Sequence, residues 1–315
     1  MEQRRLGHSG LSVSRLGLGT LTWGTDTDET EAAGMLAAFV DAGGTLVDTA
    51  GVYADGAGER VLGRLLRGAV PRADIVIAAK SGITKGGRYD ASRRHLLGAL
   101  DDSLARLGVD HVDLWQVHAF DPGTPLEETL SALDEAVASG RCRYVGVGDY
   151  AGWQLAKAAA WQRAWPGRAP VVAAQAEYSL LCRDIEREVV PAALDAGVGL
   201  LPWSPLGRGV LTGKYRTGIP ADSRAATPHL AEFVRPYLGD RCRQIVESVA
   251  TAGDGLGVSP LAVALSWVRD RPGVAAPIVG ARTAGQLHDI LRADDVTLPQ
   301  EIRDALDDVS DPADS

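Results

Sequence analysis

The feature that most restricts the fold of this chain is a regular alternation of short strand-like runs with helical runs. Several strand-like runs are continuously apolar, which is typical of parallel strands buried on both faces. Eight repeats within 315 residues predict an α/β fold with a closed parallel (β/α)8 barrel, a TIM barrel. A doubly wound open sheet is the main alternative. The strand-like runs are 15–19, 45–48, 75–80, 111–118, 142–148, 171–175, 198–202 and 276–279.

The helical runs carry recognisable end signals. Asp28 and Glu31 form a capping box before the first helix. Asp90 is expected to cap a later helix, and Thr124 with Pro125 combines a capping box with proline at the first helical position. Gly108 is expected to end the helix that follows Asp90.

Three segments lie outside the repeat. Residues 2–13 predict an N-terminal β-hairpin that turns at 8–10 and plugs the lower end of the barrel. Residues 205–240, after the seventh barrel strand, are long for a strand–helix connection and predict a functional loop. Residues 299–315 predict a final helix and an acidic tail. No linker is visible, so residues 1–315 are interpreted as one domain.

Composition narrows the possible partners and compartment. A formal net charge of −9 argues against a nucleic-acid scaffold, and no apolar stretch is long enough to span a bilayer. The three cysteines are far apart and show no metal-ligand spacing, so free thiols and no metal site are expected. No signal sequence is found at the N-terminus. We therefore expect a cytoplasmic protein that binds neither nucleic acid nor membrane; the oligomeric state stays open.

Ionisable residues fall at the carboxyl ends of three successive predicted strands, where barrel enzymes carry their chemistry. They are Asp48, Lys80 and His118, and Tyr53 follows Asp48 in the adjoining loop. Neighbouring strands are about 4.8 Å apart, so these side chains are expected to converge. Each residue alone has an ordinary structural explanation, such as an ion pair for Asp48 and Lys80. Their joint placement favours a catalytic group.

The chemistry of this group is coherent. A lysine ammonium next to Tyr53 lowers the tyrosine pKa, and Asp48 holds that ammonium in place. His118 donates a hydrogen bond to a carbonyl oxygen or relays a proton. Such a group protonates a carbonyl oxygen while a hydride reaches the carbon, and the hydride requires a cofactor. A Schiff-base aldolase that uses Lys80 is a weaker alternative, because Asp48 keeps the lysine charged.

Several segments together resemble the aldo-keto reductase superfamily, and most of all bacterial members related to the potassium-channel β-subunit branch. The segments are LGHSGL (6–11), DTAGVY (48–53), GERVLG (58–63), AKS (79–81), QVH (116–118) and WSPLGRGVLTGKY (203–215). The resemblance covers nearly the whole chain and implies a catalytic tetrad of Asp48, Tyr53, Lys80 and His118. It implies NADPH-dependent reduction of an aldehyde or ketone, with a small carbonyl compound as substrate. The alternative is a nucleotide-binding regulatory subunit with slow or vestigial oxidoreductase activity.

The cofactor must bind without a Rossmann fingerprint or a P-loop, since neither glycine pattern is complete. Barrels often hold phosphate with the loops after strands seven and eight. The first loop contains Ser204, Pro205, Leu206, Arg208 and Lys214, and its amides and cations suit a pyrophosphate. The second loop contains Gly280, Arg282 and Gln286.

The resemblance assigns finer roles to some of these residues. It implies that Arg282 binds the 2′-phosphate of NADPH and that Gln286 lies near the adenosine. Trp203 stacks on the nicotinamide, and Gln175 with Asp149 binds the carboxamide.

The chain departs from the resembled family at three positions near the expected cofactor. The family commonly has Gly-Val-Ser-Asn at the end of the fifth barrel strand, where this chain has Gly148 and Asp149 in place of serine and asparagine. The hydroxyl is therefore lost and an amide has become a carboxylate. Ile290 stands where an asparagine is common, which removes a contact to the base. These departures bear on the affinity for the cofactor.

The substrate end of the site is the least determined by sequence. Trp23, in the first strand–helix loop, is the first candidate for the substrate rim, with Arg88 and Arg224 as candidates for binding an anionic substrate. Trp115 has the opposite parity to Gln116 on its strand and is expected to pack against the helices.

Overall fold

The computed structural model describes residues 1–312, and its centre is a closed barrel of eight parallel strands. An antiparallel hairpin of β1 (Gln3–Arg5) and β2 (Ser12–Ser14) precedes the barrel. The barrel strands are β3 (Gly17–Gly19), β4 (Leu46–Asp48), β5 (Val76–Ser81), β6 (Val112–Val117), β7 (Cys142–Gly148), β8 (Val171–Glu177), β9 (Gly199–Trp203) and β10 (Ile278–Val279). Around the closed sheet the order is β10, β3, β4, β5, β6, β7, β8, β9.

Helices surround this barrel, and several lie in the long connections. They are α1 (Glu29–Asp41), α2 (Ala57–Leu65), α3 (Arg93–Leu107), α4 (Leu126–Ala138), α5 (Gly152–Arg163), α6 (Val189–Ala196), α7 (Pro228–Val234), α8 (Asp240–Leu256), α9 (Pro260–Arg269), α10 (Ala284–Ala293) and α11 (Gln300–Val309). Within residues 1–312, no single helix is long and apolar enough to cross a membrane. Only α8 and α9 together pass that test, as a pair bent by 102°.

The predicted barrel is confirmed, and each strand end lies within two residues of its predicted position. The helix starts were predicted less well. Asp28 caps α1 as expected, since its side chain accepts from the Glu31 amide at 2.9 Å. The prediction for Asp90 is wrong: Ser92 caps α3, and Asp90 accepts from the Ser92 hydroxyl at 2.6 Å.

The predicted capping box at Thr124 is also absent. The Thr124 hydroxyl donates to Asp121 at 2.6 Å instead, and Pro125 precedes α4 without a side-chain cap.

The hairpin closes the lower end of the barrel, as predicted. Leu6 and Val13 are fully buried and pack in an interior cluster with inward-facing strand residues such as Leu114 and Leu201. Gly7 makes this fit possible: it has φ +56°, and a Cβ there would lie 2.6 Å from the Gly197 carbonyl oxygen. A larger cluster fills the space between the strands and the helices, and it contains Trp115, as its parity predicted.

The loop 205–240 is ordered into short 3-10 turns and α7 rather than being irregular throughout. His229 in α7 contacts Asp26 in the first strand–helix loop at 3.2 Å, and Arg282 after β10 donates to the Asp222 carbonyl. The loop 205–240 therefore contacts both the first strand–helix loop and the loop that follows β10. At the C-terminus α11 is present as predicted, whereas residues 313–315 of the predicted tail lie outside the described residues. The single domain over 1–315 stays a prediction.

Candidate active site

The four predicted catalytic residues come together at the C-terminal rim of the barrel. Asp48 ends β4 and Lys80 lies in β5, and both side chains are almost completely buried. The Lys80 Nζ atom lies 2.6 Å from each Asp48 carboxylate oxygen. The same Nζ lies 5.2 Å from the centre of the Tyr53 ring, and the His118 ring meets that of Tyr53 edge-on at 6.0 Å between centroids. The four side chains thus lie together, as predicted from their positions at and near the ends of successive strands.

The net pKa shift of Tyr53 is opposite to the one expected from its lysine neighbour alone. Burial raises the pKa of Tyr53 more than the Lys80 ammonium lowers it, and the Asp48 carboxylate raises it further. Lys80 lowers this pKa, as the sequence predicted, but the net shift is upward. The reason is that Asp48 compensates the lysine charge while the phenol loses solvent. Tyr53 keeps its proton at neutral pH.

The two basic neighbours have opposite protonation states. Burial by itself lowers the pKa of Lys80, but Asp48 and Tyr53 outweigh it and raise that pKa, so Lys80 is an ammonium. Burial, with repulsion from Lys80, lowers the pKa of His118 to about 3, so its imidazole is neutral. Among the described residues His118 Nδ1 is buried without a hydrogen-bond partner.

A cavity of about 460 Å³ opens above this group, a size ordinary for a small-molecule site. Asp48, Tyr53 and His118 line one end of it, which we call the deep end. Every residue that the sequence suggested for the cofactor also lines the cavity: Gly148, Asp149, Gln175, Trp203, Ser204, Pro205, Leu206, Arg208, Lys214, Gly280, Arg282 and Gln286. Sequence reasoning therefore found the walls of the site, although position alone assigns no role.

The opposite end of the cavity, which we call the cationic end, gathers three basic side chains. Lys214, Arg224 and Arg282 all line it, and none of them forms an ion pair within residues 1–312. Burial and the charge of Arg282 lower the pKa of Arg224, and burial with repulsion from both arginines lowers the pKa of Lys214. A bound anion would relieve this repulsion, so the cationic end fits a phosphate group.

Arg224, one of the candidates for binding an anionic substrate, lies at the cationic end near Lys214 and Arg282. It projects from the loop 205–240 and lies beside Gly280. A Cβ atom at position 280 would lie 3.4 Å from the Arg224 guanidinium. The signal in the sequence was only an arginine in a long loop. Its position depends on how the loop folds back over the barrel.

Arg208 lines the cavity but is not a free cation. Its guanidinium forms two hydrogen bonds to Glu177, at 3.0 and 2.7 Å. It also packs on the Phe233 ring at 3.8 Å and donates to the Phe233 carbonyl. The charge of Arg208 is thus balanced within the protein, which leaves Lys214 and Arg224 as the cations of the loop 205–240 that line the cavity without an ion pair among the described residues.

Gln175 and Asp149 are held by contacts within the protein. The Gln175 Nε2 atom donates to Asp48 at 2.9 Å. The Trp203 indole N–H donates to the Asp149 carboxylate at 2.9 Å. Asp149 has φ +47°, a conformation that aspartate and asparagine adopt more readily than most residues. Aspartate and asparagine therefore both fit the backbone at position 149, but only aspartate can bring a negative charge there.

Close packing explains why position 148 is a glycine, and this packing could not be predicted from the sequence. A Cβ at this position would collide with the His118 carbonyl. The end of β7 therefore approaches the residue that follows β6 more closely than a serine would permit. Ile290 is buried and lines the cavity, where it offers an apolar surface.

The prediction that Trp23 forms the substrate rim is wrong. Its side chain is fully buried in the core between strands and helices and does not line the cavity. A tight turn is the cause: the Trp23 amide donates to the Thr20 carbonyl at 3.1 Å, which directs the indole inward. Leu21 and Thr22 line the cavity in its place, and Leu21 is 42% exposed. Among the described residues, no cluster of His, Cys, Asp or Glu has the arrangement of a metal site.

The fold and the site define a (β/α)8-barrel protein with an acid–base group at its C-terminal rim. Comparison with known families makes the class specific, because residues 15–311 match the aldo/keto reductase family. The chain belongs to that family, and it is accordingly an oxidoreductase of the carbonyl-reducing kind.

Similar proteins include both enzymes and channel-associated proteins. The chain is 37% identical to the uncharacterized oxidoreductase YrpG of Bacillus subtilis (strain 168), covering 98% of this chain and 96% of that protein. It is 36% identical to a probable voltage-gated potassium channel subunit beta of Oryza sativa subsp. japonica, over 94% and 92% of the two chains. It is 31% identical to a versiconal hemiacetal acetate reductase of Aspergillus parasiticus, over 96% and 95%.

Proposed function

We propose that this protein reduces a small aldehyde or ketone to an alcohol with NADPH, and that Tyr53 donates the proton. The observation that carries the proposal is the separation of charge between the two ends of this cavity. An acid–base group lies at the deep end, and three cations that form no ion pair among the described residues lie at the cationic end. A dinucleotide that reacts at one end and carries phosphates toward the other fits this arrangement.

The cations present suit NADPH better than NADH. Lys214, Arg224 and Arg282 lie in the loops after β9 and β10, and they provide more positive charge than two neighbouring phosphates of a pyrophosphate require. The third cation suits the extra phosphate on the ribose. We assign that contact to Arg282, whose own amide is braced by the Gln286 side chain at 2.9 Å.

The side chains of the deep end have complementary tasks. Tyr53 retains its proton because of burial, so it can donate that proton to a carbonyl oxygen. The Lys80 ammonium stabilises the phenolate that remains, and Asp48 fixes the ammonium in place. His118 is neutral and donates a hydrogen bond from Nε2 to the same oxygen. The nicotinamide, when bound, supplies the hydride that no side chain can provide.

Two alternatives make different predictions. A Schiff-base aldolase requires a neutral Lys80, whereas Asp48 and Tyr53 raise the pKa of that lysine. A nucleotide-binding regulatory subunit with slow turnover is favoured by the similarity to proteins named as potassium channel β subunits. Turnover decides between the reductase and the regulatory subunit. We further propose a cytoplasmic protein that acts on small molecules rather than on nucleic acid or membrane, in agreement with its free thiols.

The test combines binding with turnover. NADPH should bind more tightly than NADH, and Arg282→Ala should remove most of that preference. With NADPH and a panel of aldehydes and ketones, Tyr53→Phe should lower kcat by roughly 100- to 10,000-fold while NADPH still binds. Equal binding of both nucleotides would contradict the cofactor assignment. Binding without turnover on any carbonyl would favour the regulatory alternative.

A further inference from the structure

The deep end of the cavity carries one uncompensated charge. Lys80 is neutralised by Asp48 at 2.6 Å, and Glu177 is neutralised by Arg208 at 2.7 Å. Tyr53 and His118 are both neutral at pH 7. Asp149 also lines this end, and it forms no ion pair among the residues described. The net charge of the deep end is therefore −1, carried by the Asp149 carboxylate.

This carboxylate is fixed rather than free to turn away. Its Oδ1 atom accepts from the Trp203 indole N–H at 2.9 Å, and its backbone amide donates to the Gln175 carbonyl at 2.8 Å. Burial raises the pKa of Asp149, Trp203 lowers it, and Glu177 raises it. Lys80 also lowers this pKa, but the net shift is upward because burial makes the carboxylate charge costly.

The deep end of the cavity is thus negatively charged, and the cationic end is positively charged. Phosphates are drawn to Lys214, Arg224 and Arg282, so the redox-active ring of a dinucleotide lies at the end that contains Tyr53 and Asp149. This step rests on the proposed function. The oxidised nicotinamide ring is a cation and the reduced ring is neutral, whereas the phosphates of the two forms carry the same charge.

We infer that Asp149 makes this site select the redox state of its cofactor, because its carboxylate favours the oxidised, cationic nicotinamide over the reduced one. An asparagine of the same shape fits the same backbone and hydrogen bond but provides no such preference. Tighter binding of the oxidised form lowers the reduction potential of the bound couple, by about 30 mV for each tenfold ratio in a two-electron couple. The bound reduced form then becomes the stronger hydride donor.

Calorimetric titration of the full chain with NADP⁺ and with NADPH at pH 7 tests this inference. The measured quantity is the ratio of the two dissociation constants, which does not depend on turnover. In Asp149→Asn we expect the preference for NADP⁺ over NADPH to fall by about five- to tenfold, the scale of one charge–charge interaction in a partly solvated site.

Asp289→Asn is the matched control. Asp289 lines the same cavity but lies in α10, near Arg282 and Gln286. The same loss of one carboxylate charge should there change the affinity for both forms alike and leave their ratio as in the wild type.

The outcomes are distinct. A ratio that falls in Asp149→Asn and not in Asp289→Asn supports the inference. An unchanged ratio in Asp149→Asn, with both nucleotides bound, overturns the inference and leaves the proposed function standing. A wild-type protein that binds neither nucleotide overturns both. Thermal unfolding of each variant without nucleotide confirms that the compared proteins are folded.

Discussion

At the scale of single residues, the site depends on one buried ion pair. Lys80 and Asp48 are each almost fully shielded from solvent, and both Asp48 oxygens contact the ammonium. Breaking such a pair leaves a buried charge without a partner, which costs more than removing the pair as a whole. Stability and proton chemistry therefore both rest on this contact.

Asp48→Asn should lower the free energy of unfolding by about 3–5 kcal/mol, because the Lys80 ammonium would lose its counter-charge. The double variant Asp48→Asn with Lys80→Met should lose less than the single variant. Urea unfolding of the wild type, both single variants and the double variant measures this coupling. Additive losses would show that the two side chains do not depend on each other.

His118 should make the protein sensitive to mild acid. Its folded-state pKa of about 3 lies below the value of about 6.5 in an unfolded chain, so the folded state keeps it neutral. The resulting stability is present above pH 6.5 and is lost as the pH falls toward 3. Between pH 7 and pH 5 the wild type should lose about 2 kcal/mol of unfolding free energy that His118→Gln does not lose. Denaturant titrations at both pH values measure the difference, and parallel losses in the two proteins would refute it.

At the scale of elements, the hairpin and the loop 205–240 complete opposite ends of the barrel. The hairpin inserts Leu6 and Val13 into the lower end. At the upper end the loop contributes Arg224 and Phe233 to the cavity wall. The eight-stranded barrel alone would be open below and would lack Lys214 and Arg224, two of the three cations of the cationic end.

Gly7→Ala should destabilise the protein by more than about 1 kcal/mol, because alanine is strained at φ +56° and its methyl group would collide with β9 and its preceding turn. Gly34→Ala is the control. Gly34 is an exposed residue of α1 with open space around it, so the same change should stabilise the protein by about 0.5–1 kcal/mol. Thermal and urea unfolding compare them, and a neutral Gly7→Ala would mean that the hairpin is not packed against β9.

At the scale of the whole molecule, the protein is acidic, whereas the cationic end of its cavity is basic. The formal net charge is −9, yet Lys214, Arg224 and Arg282 converge on one cavity wall. The long-range field of the chain opposes a nucleotide anion, so affinity must come from these local contacts. Salt screens both effects, but it screens the exposed surface more than a partly enclosed site.

If the proposed contact of Arg224 with a phosphate is correct, Arg224→Ala should weaken NADPH binding by about tenfold or more, because a direct cation–phosphate contact would be lost. It should also reduce the dependence of the dissociation constant on salt between about 0.05 and 0.5 M. Arg93→Ala, which removes an outer-surface arginine paired with Glu135, provides the control and should leave binding unchanged. Equal effects of the two variants would place the phosphate elsewhere.

The closed barrel and the convergence of Asp48, Tyr53, Lys80 and His118 could be predicted from the sequence alone. This was possible because parallel strands put their carboxyl ends on one rim, so the last residues of successive strands meet whatever the details of packing. The residues of the β9 and β10 loops were likewise found on the cavity wall, since a barrel places those loops side by side.

Which of these side chains are free of protein partners could not be predicted and follows from the folded chain. Arg208 is neutralised by Glu177, Trp23 turns into the core, and Arg224 moves to the cationic end. The pKa of Tyr53 also rises where the sequence argument had it fall. The physical reason is common to all four: charge compensation, burial and loop path depend on partners distant in sequence, and no local pattern encodes them.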